Sequence, residues 1–401
     1  MHLSQLGERI EQLATAGLLR LPDDDLHRAH LAKRHDLLDL GSNDYLGLRG
    51  GPTGPVVSRE TPLPDAPRRS PGVSRETPLE WGAGSSRLLY GTVPAHLEIE
   101  AEVARWLGHS AALLFTSGYA ANVGALAALL DPEDCVVSDA LNHASLIDGI
   151  RLSRARPSIV AHLDLAEVEQ ALSAGRDRPA RWVVTESYFS MDGDGPDLVA
   201  LRALCDRFDA HLYVDEAHGL GVFGRRGAGR LQEAGVTAEV VMAPFGKAVG
   251  AQGACVASSS LVRTWLWNRA RSFVFSTALS PVLAEGVVGQ IRRTKDAGAA
   301  RARLVEVARA VREGLVAQGW PLALSSFGPI VALEVGAPAR ALELAAALEK
   351  EGILVQAVRP PTVPEGRSRL RLTLHSQLRV AQVERLLRLT GQFAPSAGEG
   401  P

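Results

Sequence analysis

YVDEAHGLGVFG, residues 213–224, decides the reading of this chain: an apolar run, His211–Val214, stops on Asp215 and Glu216, and glycines follow. A short run of this kind fits a strand buried on both faces. Carboxylates at its C-terminal end stand where open α/β sheets bind ligands. The same pattern repeats outward on both sides. Ala111–Phe115, Cys135–Ser138, Ser158–Ala161 and Trp182–Thr185 come before it, and Val240–Ala243 and Gly253–Ala257 come after. Tyr119–Leu130, Leu165–Ala174 and Pro196–Asp209 between these runs read as helices. Near-continuous apolar strands alternating with helices predict an α/β fold on a mostly parallel sheet.

Beyond the sheet, Pro281–Gln318 is helix-rich, and Ile330–Val335, Ile353–Gln356 and Arg369–Leu374 read as strands closed by a helix near 380–391. The expected organisation is an N-terminal helical segment (1–45), a large domain (46–285), a smaller α+β domain (286–392) and a disordered tail (393–401). VSRETPL occurs at Val57–Leu63 and again at Val73–Leu79, around a proline-rich stretch; this local duplication predicts an exposed loop over about 57–79.

Composition narrows the function. With 46% hydrophobic and 22% charged residues the chain reads as an ordinary soluble globular protein. A net charge of −2 gives no electrostatic basis for binding nucleic acid or an anionic membrane. No window reaches the roughly 18 consecutive apolar residues of a membrane span, and MHLSQLGERIEQL reads as an amphipathic helix without the apolar core and cleavage site expected of a signal peptide. Cys135, Cys205 and Cys255 form no CxxC pair and are read as small buried residues, with no metal framework. The expected location is the cytoplasm.

Four short stretches carry chemistry. In MAPFGKAVGAQGACVA (242–257), Lys247 lies between Gly246 and Gly250 just after an apolar run, an uncrowded setting for an amine that forms a Schiff base and then moves a proton. Asp215 could hold a pyridine nitrogen protonated, with His218 within reach of the same ring. Asp-Glu-Ala-His could also belong to a nucleotide-hydrolysing motif or a metal site. The chain lacks the phosphate loop for the first and the extra ligands for the second. In FTSGYAANVGAL (115–126) a strand passes at Ser117-Gly118 into a helix starting near Tyr119, a junction suited to phosphate. In DALNHASLIDG (139–149), His143 could stack on a flat cofactor. Taken singly, each has a plainer reading: a solvated lysine, a simple turn, a structural histidine. Their order along the chain, with Ser190 in ESYFSMDGD, is what points to pyridoxal 5'-phosphate (PLP).

With these motifs in place the chain resembles the α-oxoamine synthases, fold-type-I PLP-dependent transferases. The likeness runs from SNDYLGL (Ser42–Leu48) to the helix near 390. TES-FSMDGD (Thr185–Asp194), VDEAHGLGVFG and FGK carry it, and RPPTVPEGRSRLRLTL (Arg359–Leu374) favours the biotin-pathway branch. The resemblance implies that Lys247 carries PLP, Asp215 pairs with the pyridinium, His143 stacks on the ring and His218 contacts the phenolic oxygen. It assigns the phosphate to Gly118 and Tyr119, brings Ser190 close to the cofactor, and makes Lys247, His143 and Asp215 the catalytic residues. It gives Arg20, Asn43, His143 and Thr362 to the substrate, with Arg371 clamping the amino acid's carboxylate.

Ser276 and Thr277 match residues that reach the phosphate of a neighbouring subunit, which implies a homodimer, and WGAGSSR (Trp81–Arg87) matches a glycine-rich loop near the acyl substrate. The implied substrates are L-alanine and pimeloyl-CoA or pimeloyl-acyl carrier protein. The alternatives are glycine or serine with another acyl-CoA, or a PLP-binding protein impaired in catalysis. Pro244 stands where the family has threonine, removing one phosphate hydrogen bond worth about 1.5–3 kcal/mol. The duplication reads as one inserted repeat near the substrate entrance.

Overall fold

The computed structural model describes residues 11–12, 14–16, 38–49 and 81–394. Most of the expected N-terminal helix, Arg20, the duplicated segment 57–79 and residues 395–401 lie outside the described residues. The chain divides into two compact units. One comprises Met1–Tyr45, Phe189–Gly195 and Ala299–Pro401, and the other Leu46–Tyr188 and Pro196–Gly298. No helix among the described residues is long and apolar enough to cross a membrane.

The first strand, β1 (Leu38–Asp39), belongs to the smaller unit. The larger unit holds α1 (Pro94–Leu107), β2 (Ala111–Phe115), α2 (Gly118–Leu129), β3 (Cys135–Asp139), α3 (Ala144–Ser153), β4 (Pro157–Val160), α4 (Leu165–Ala174) and β5 (Arg181–Glu186). Then come α5 (Leu198–Arg207), β6 (His211–Asp215), α6 (Arg230–Ala234), β7 (Val240–Pro244), β8 (Ala254–Ser258), α7 (Ser260–Arg269), α8 (Arg271–Val274) and α9 (Pro281–Asp296). Seven strands form one sheet in the order β2-β8-β7-β6-β5-β3-β4. Only β8 runs against the rest, pairing antiparallel with β2 and β7, so the sheet is mostly parallel as its apolar runs predict.

In β2, β3, β5, β6, β7 and β8 alternate residues enter different cores, whereas β4, at the sheet edge, leaves Ser158 and Ile159 exposed and buries only Val160, so the burial expected of Ser158–Ala161 is not met. On β5, Trp182 and Val184 pack with Leu113, Leu126, Leu146 and Tyr213, while Val183 packs with Val137, Leu172, Leu212 and Val214. Burial on both faces is why these strands read as continuous apolar runs rather than as alternation.

Caps fix where helices begin. Asp164 accepts the Ala166 and Glu167 N–H groups at the start of α4, and Asp197 accepts those of Val199 and Ala200 at α5. The helix expected over Pro196–Asp209 is trimmed at its start by that cap. α2 starts at Gly118, one residue earlier than expected, because Ser117 Oγ accepts the Ala120 N–H. His143, expected in a polar loop, instead caps α3.

The smaller unit contains α10 (Gly298–Ala317, from Ala299 onward), β9 (Ile330–Gly336), α11 (Pro338–Lys350), β10 (Ile353–Leu354), β11 (Gln356–Val358), β12 (Ser368–Thr373) and α12 (Val380–Gly391). The expected single strand Ile353–Gln356 is divided between two sheets. β10 pairs parallel with β1, and β11 pairs antiparallel with β12, which in turn pairs with β9. An apolar run does not reveal a change of partner at Val355.

Within the larger unit Gly221 has φ +81°, and a Cβ there would lie 2.6 Å from the Ala248 side chain, beside Lys247. Gly221→Ala is expected to destabilise the protein by roughly 1–3 kcal/mol, through backbone strain and the clash. A lowered denaturant midpoint would register it, and an unchanged midpoint would refute this close approach.

Candidate functional site

Because β2, β3, β5, β6 and β7 all run the same way, their C-terminal ends open onto one edge of the sheet. The sequence-predicted groups of the larger unit follow from that edge. Gly118 and Tyr119 open α2 after β2, His143 follows β3, Asp215 ends β6, and Lys247 lies three residues beyond β7. The first N–H groups of a helix have no intrahelical partner and carry the positive end of its dipole, so the start of α2 is a donor set for an anion.

Asp215 is buried, with 2% of its surface exposed. Oδ1 accepts the Ala217 N–H at 2.7 Å and Oδ2 accepts an Asn122 side-chain N–H at 2.8 Å. Burial raises its pKa, while the Lys247 ammonium and the Asn122 hydrogen bond hold it down. Glu186, its register partner on β5, is also buried and accepts the His143 N–H at 2.8 Å. Burial and the Asp215 charge push the Glu186 carboxyl well above the ordinary glutamate range, against the pull of Lys247. The His143 ring is exposed, yet the protein around it and the Lys247 ammonium hold the imidazole below its usual value, with Asp215 opposing. Lys247 therefore acts electrostatically on all three groups. His218 is buried.

Other predicted residues form separate groups. Ser276 and Thr277 follow α8 and, with Arg87, Thr116 and Ser272, line a small cavity; Thr277 bridges to Ser86 of the glycine-rich loop. In the smaller unit, Arg371 on β12 is buried and donates to the Ser190 carbonyl and to Asn43 Oδ1. Burial pushes the neighbouring Tyr45 hydroxyl up to about 12, with Arg371 opposing. Thr362 is exposed, and Pro244 ends β7 with its Cβ 3.2 Å from where a Cβ on Gly118 would stand.

Sequence reasoning missed Asn122, Ser145 and Glu186. All three lie within the quoted motifs, but an asparagine or a serine in a helix carries no signal until its neighbours are known.

Residues 35–389 match the aminotransferase class I and II family. The 8-amino-7-oxononanoate synthase of Anaeromyxobacter dehalogenans (strain 2CP-1 / ATCC BAA-258) is 41% identical over 90% of this chain and 87% of its own. The enzyme of that name from Paracidovorax citrulli (strain AAC00-1) is 40% identical over 98% and 95%. This chain belongs to the aminotransferase class I and II family, among the 8-amino-7-oxononanoate synthases. Another member of the wider fold, SPT solved with its PLP, superposes with a TM-score of 0.79 at 27% identity, over 89% of this chain and 87% of that one. As a family member the chain has the fold-type-I architecture, with a large, mostly parallel sheet and a smaller C-terminal part.

The Glu186 carboxyl gives a pH test. Its folded-state pKa is raised, so its contribution to stability is fully present below the ordinary glutamate range and is lost as pH rises towards the shifted value. Glu186→Gln keeps an oxygen for the His143 N–H but does not titrate. The melting temperature of the glutamine variant should exceed that of the wild type by a margin that grows from acid to neutral pH. A margin independent of pH would show that Glu186 titrates normally.

Proposed function

We propose that this chain is a PLP-dependent acyltransferase that condenses L-alanine with a pimeloyl thioester. CO2 is lost, and 8-amino-7-oxononanoate and the thiol carrier are released. The observation that carries the reading is the convergence, on one sheet edge, of an amine (Lys247), a buried carboxylate (Asp215), an exposed imidazole (His143) and a helix N-terminus (α2). That donor set fits PLP: an amine for its aldehyde, an acid for its ring nitrogen, a flat ring for its face and N–H groups for its phosphate. The relatives' shared name supports the choice of alanine and a pimeloyl group.

When bound, PLP supplies an aldehyde that condenses with amines and a protonated ring that accepts electron density. Lys247 would hold it through Nζ, and the same amine, once free, would be the base that removes the substrate's α-proton. Asp215, buried and held by two N–H donors, keeps a negative charge against the ring nitrogen, so that the nitrogen stays protonated. Gly118 and Tyr119 offer backbone N–H groups to the phosphate, and His218 serves the phenolic oxygen. Arg371 takes the alanine carboxylate, its guanidinium plane oriented by Ser190 and Asn43. His143 would lie against the ring and would donate to the thioester oxygen as charge develops there.

The acyl group arrives on CoA or on a carrier protein, in the cytoplasm, and two copies of the chain complete each other's sites through Ser276 and Thr277. Trp81, Leu89, Tyr90 and Phe275 are large apolar residues left exposed around the Ser86–Thr277 bridge, as expected of a surface that a second copy covers.

Borohydride treatment of the PLP-loaded protein, followed by peptide mapping, should label Lys247; a label elsewhere, or none, would end this reading. Lys247→Ala should lower kcat by at least about 100-fold, as for loss of a general base, and turnover at the normal rate would refute the mechanism. Arg371→Lys should raise the KM for alanine by roughly 10-fold or more while the bound cofactor's absorbance stays intact. An unchanged KM would remove Arg371 from the substrate site.

A further inference from the structure

Asn122 is wholly buried in α2, and each end of its amide is committed. Its Nδ2 donates to Asp215 Oδ2 at 2.8 Å and to Ser145 Oγ at 2.9 Å, and its Oδ1 accepts the Tyr213 hydroxyl at 2.8 Å. The Asp215 carboxylate demands a donor, so the amide sits only this way round; flipped, it would set oxygen against oxygen. Ser145 Oγ thus receives one hydrogen from Asn122, and its own hydrogen goes to His143 Nδ1, 2.7 Å away. The Ser145 backbone N–H meets the same Nδ1 at 3.2 Å. A nitrogen faced by two donors is an acceptor. The neutral ring therefore carries its proton on Nε2.

We propose that Asn122 and Ser145 are positioning residues that lock His143 as the Nε2–H tautomer and tie its orientation to the Asp215 carboxylate. The inference deepens the proposed function and rests on it, because an N–H at Nε2 is the group the ring needs to donate to a thioester oxygen as negative charge builds. The relay works in both directions. Asn122 gives Asp215 its side-chain donor, complementing the Ala217 N–H, so the carboxylate that serves the cofactor ring and the imidazole that covers it are held by one amide.

Protonating Nδ1 would set a third N–H or O–H donor against the two already there, so the relay also opposes the imidazolium. Of the charged groups facing the ring, Lys247 acts in the same sense, while Asp215 and Asp148 act against it.

The test is an ¹⁵N-imidazole NMR titration of the full-length, PLP-loaded protein, with the His143 resonances identified by their loss in His143→Gln. The wild type should show an unprotonated Nδ1 and a protonated Nε2 at neutral pH. Ser145→Ala should give a mixture of tautomers and a higher protonation midpoint, with kcat falling roughly 10-fold and the KM for alanine little changed; Ser145→Thr should restore all three. A protonated Nδ1 in the wild type overturns the proposal, as does a Ser145→Ala ring with unaltered tautomer and midpoint. The wild-type spectrum decides the tautomer by itself, whatever the folding of a variant. Borohydride labelling of Lys247 separates the two readings: failure to label sinks the cofactor assignment, while a normal label with a protonated Nδ1 sinks only the relay. The tautomer can also be read in the cofactor-free protein.

Discussion

A carboxylate buried at the end of a strand sets the terms for the rest of this structure. Asp215 is removed from water, and its neighbour across β5 and β6, Glu186, is removed with it. Burying a charge costs several kcal/mol even after relaxation, and two adjacent acids cannot both ionise without a cation and donors to hold them. The chain answers with Lys247 as the cation, with Asn122 and the Ala217 N–H on Asp215, and with the His143 N–H on Glu186. Glu216, the next residue along, is buried too, and accepts from Ser187 Oγ and the backbone N–H groups of Arg230 and Leu231. Donors that would otherwise serve ordinary loops are thereby aimed at acids, and the loops after β3, β5, β6 and β7 are shaped by that demand. Parallel strands make it possible, since they bring their carboxyl ends to one edge.

The smaller unit meets the converse problem, buried cations, by a similar route. Arg369 and Arg371 lie two residues apart on β12, hence on one face of the strand, and both are almost fully buried. Arg369 donates to the Met191 carbonyl and pairs with Asp192, and Arg371 donates to the Ser190 carbonyl and Asn43. Together they lace the segment Phe189–Gly195 to the strand. Carbonyl oxygens satisfy part of each planar fork, and with Asn43 they fix the orientation of Arg371. That is the state in which a guanidinium can receive a carboxylate with little further ordering.

Much of this was legible in the sequence, for physical reasons that also mark the limit. Strands buried on both faces announce themselves as apolar runs, and their ends are marked where polar or glycine residues begin, so the positions of Asp215, Lys247, His143 and the Gly118 turn at or just beyond strand ends could be read from order alone. Residues whose role depends on their neighbours could not. Asn122 and Ser145 sit in helices as unremarked polar residues, and Glu186 reads as one more residue of a motif; only the fold reveals that all three face Asp215 or His143. The apolar run 353–356 hides an exchange of strand partners for a related reason: burial looks the same whichever sheet supplies it. The unexpected cap at His143 reflects a histidine acting where aspartate or serine usually does.

Pro244 shows how local geometry can bear on binding without any charged group. It ends β7 and packs its ring against Gly118, where any side chain on that residue would be crowded. Proline contributes neither a hydroxyl nor an N–H, so this flank of the α2 N-terminus is apolar. A phosphate held there draws on the unpaired N–H groups of the helix start and on the helix dipole. Those donors belong to the backbone and are fixed by the Ser117 cap. They are arranged before any ligand arrives, and pre-arranged donors lose little entropy on binding. At this end of the sheet edge, orientation of an anion would come from the helix start and not from the side chain that ends β7.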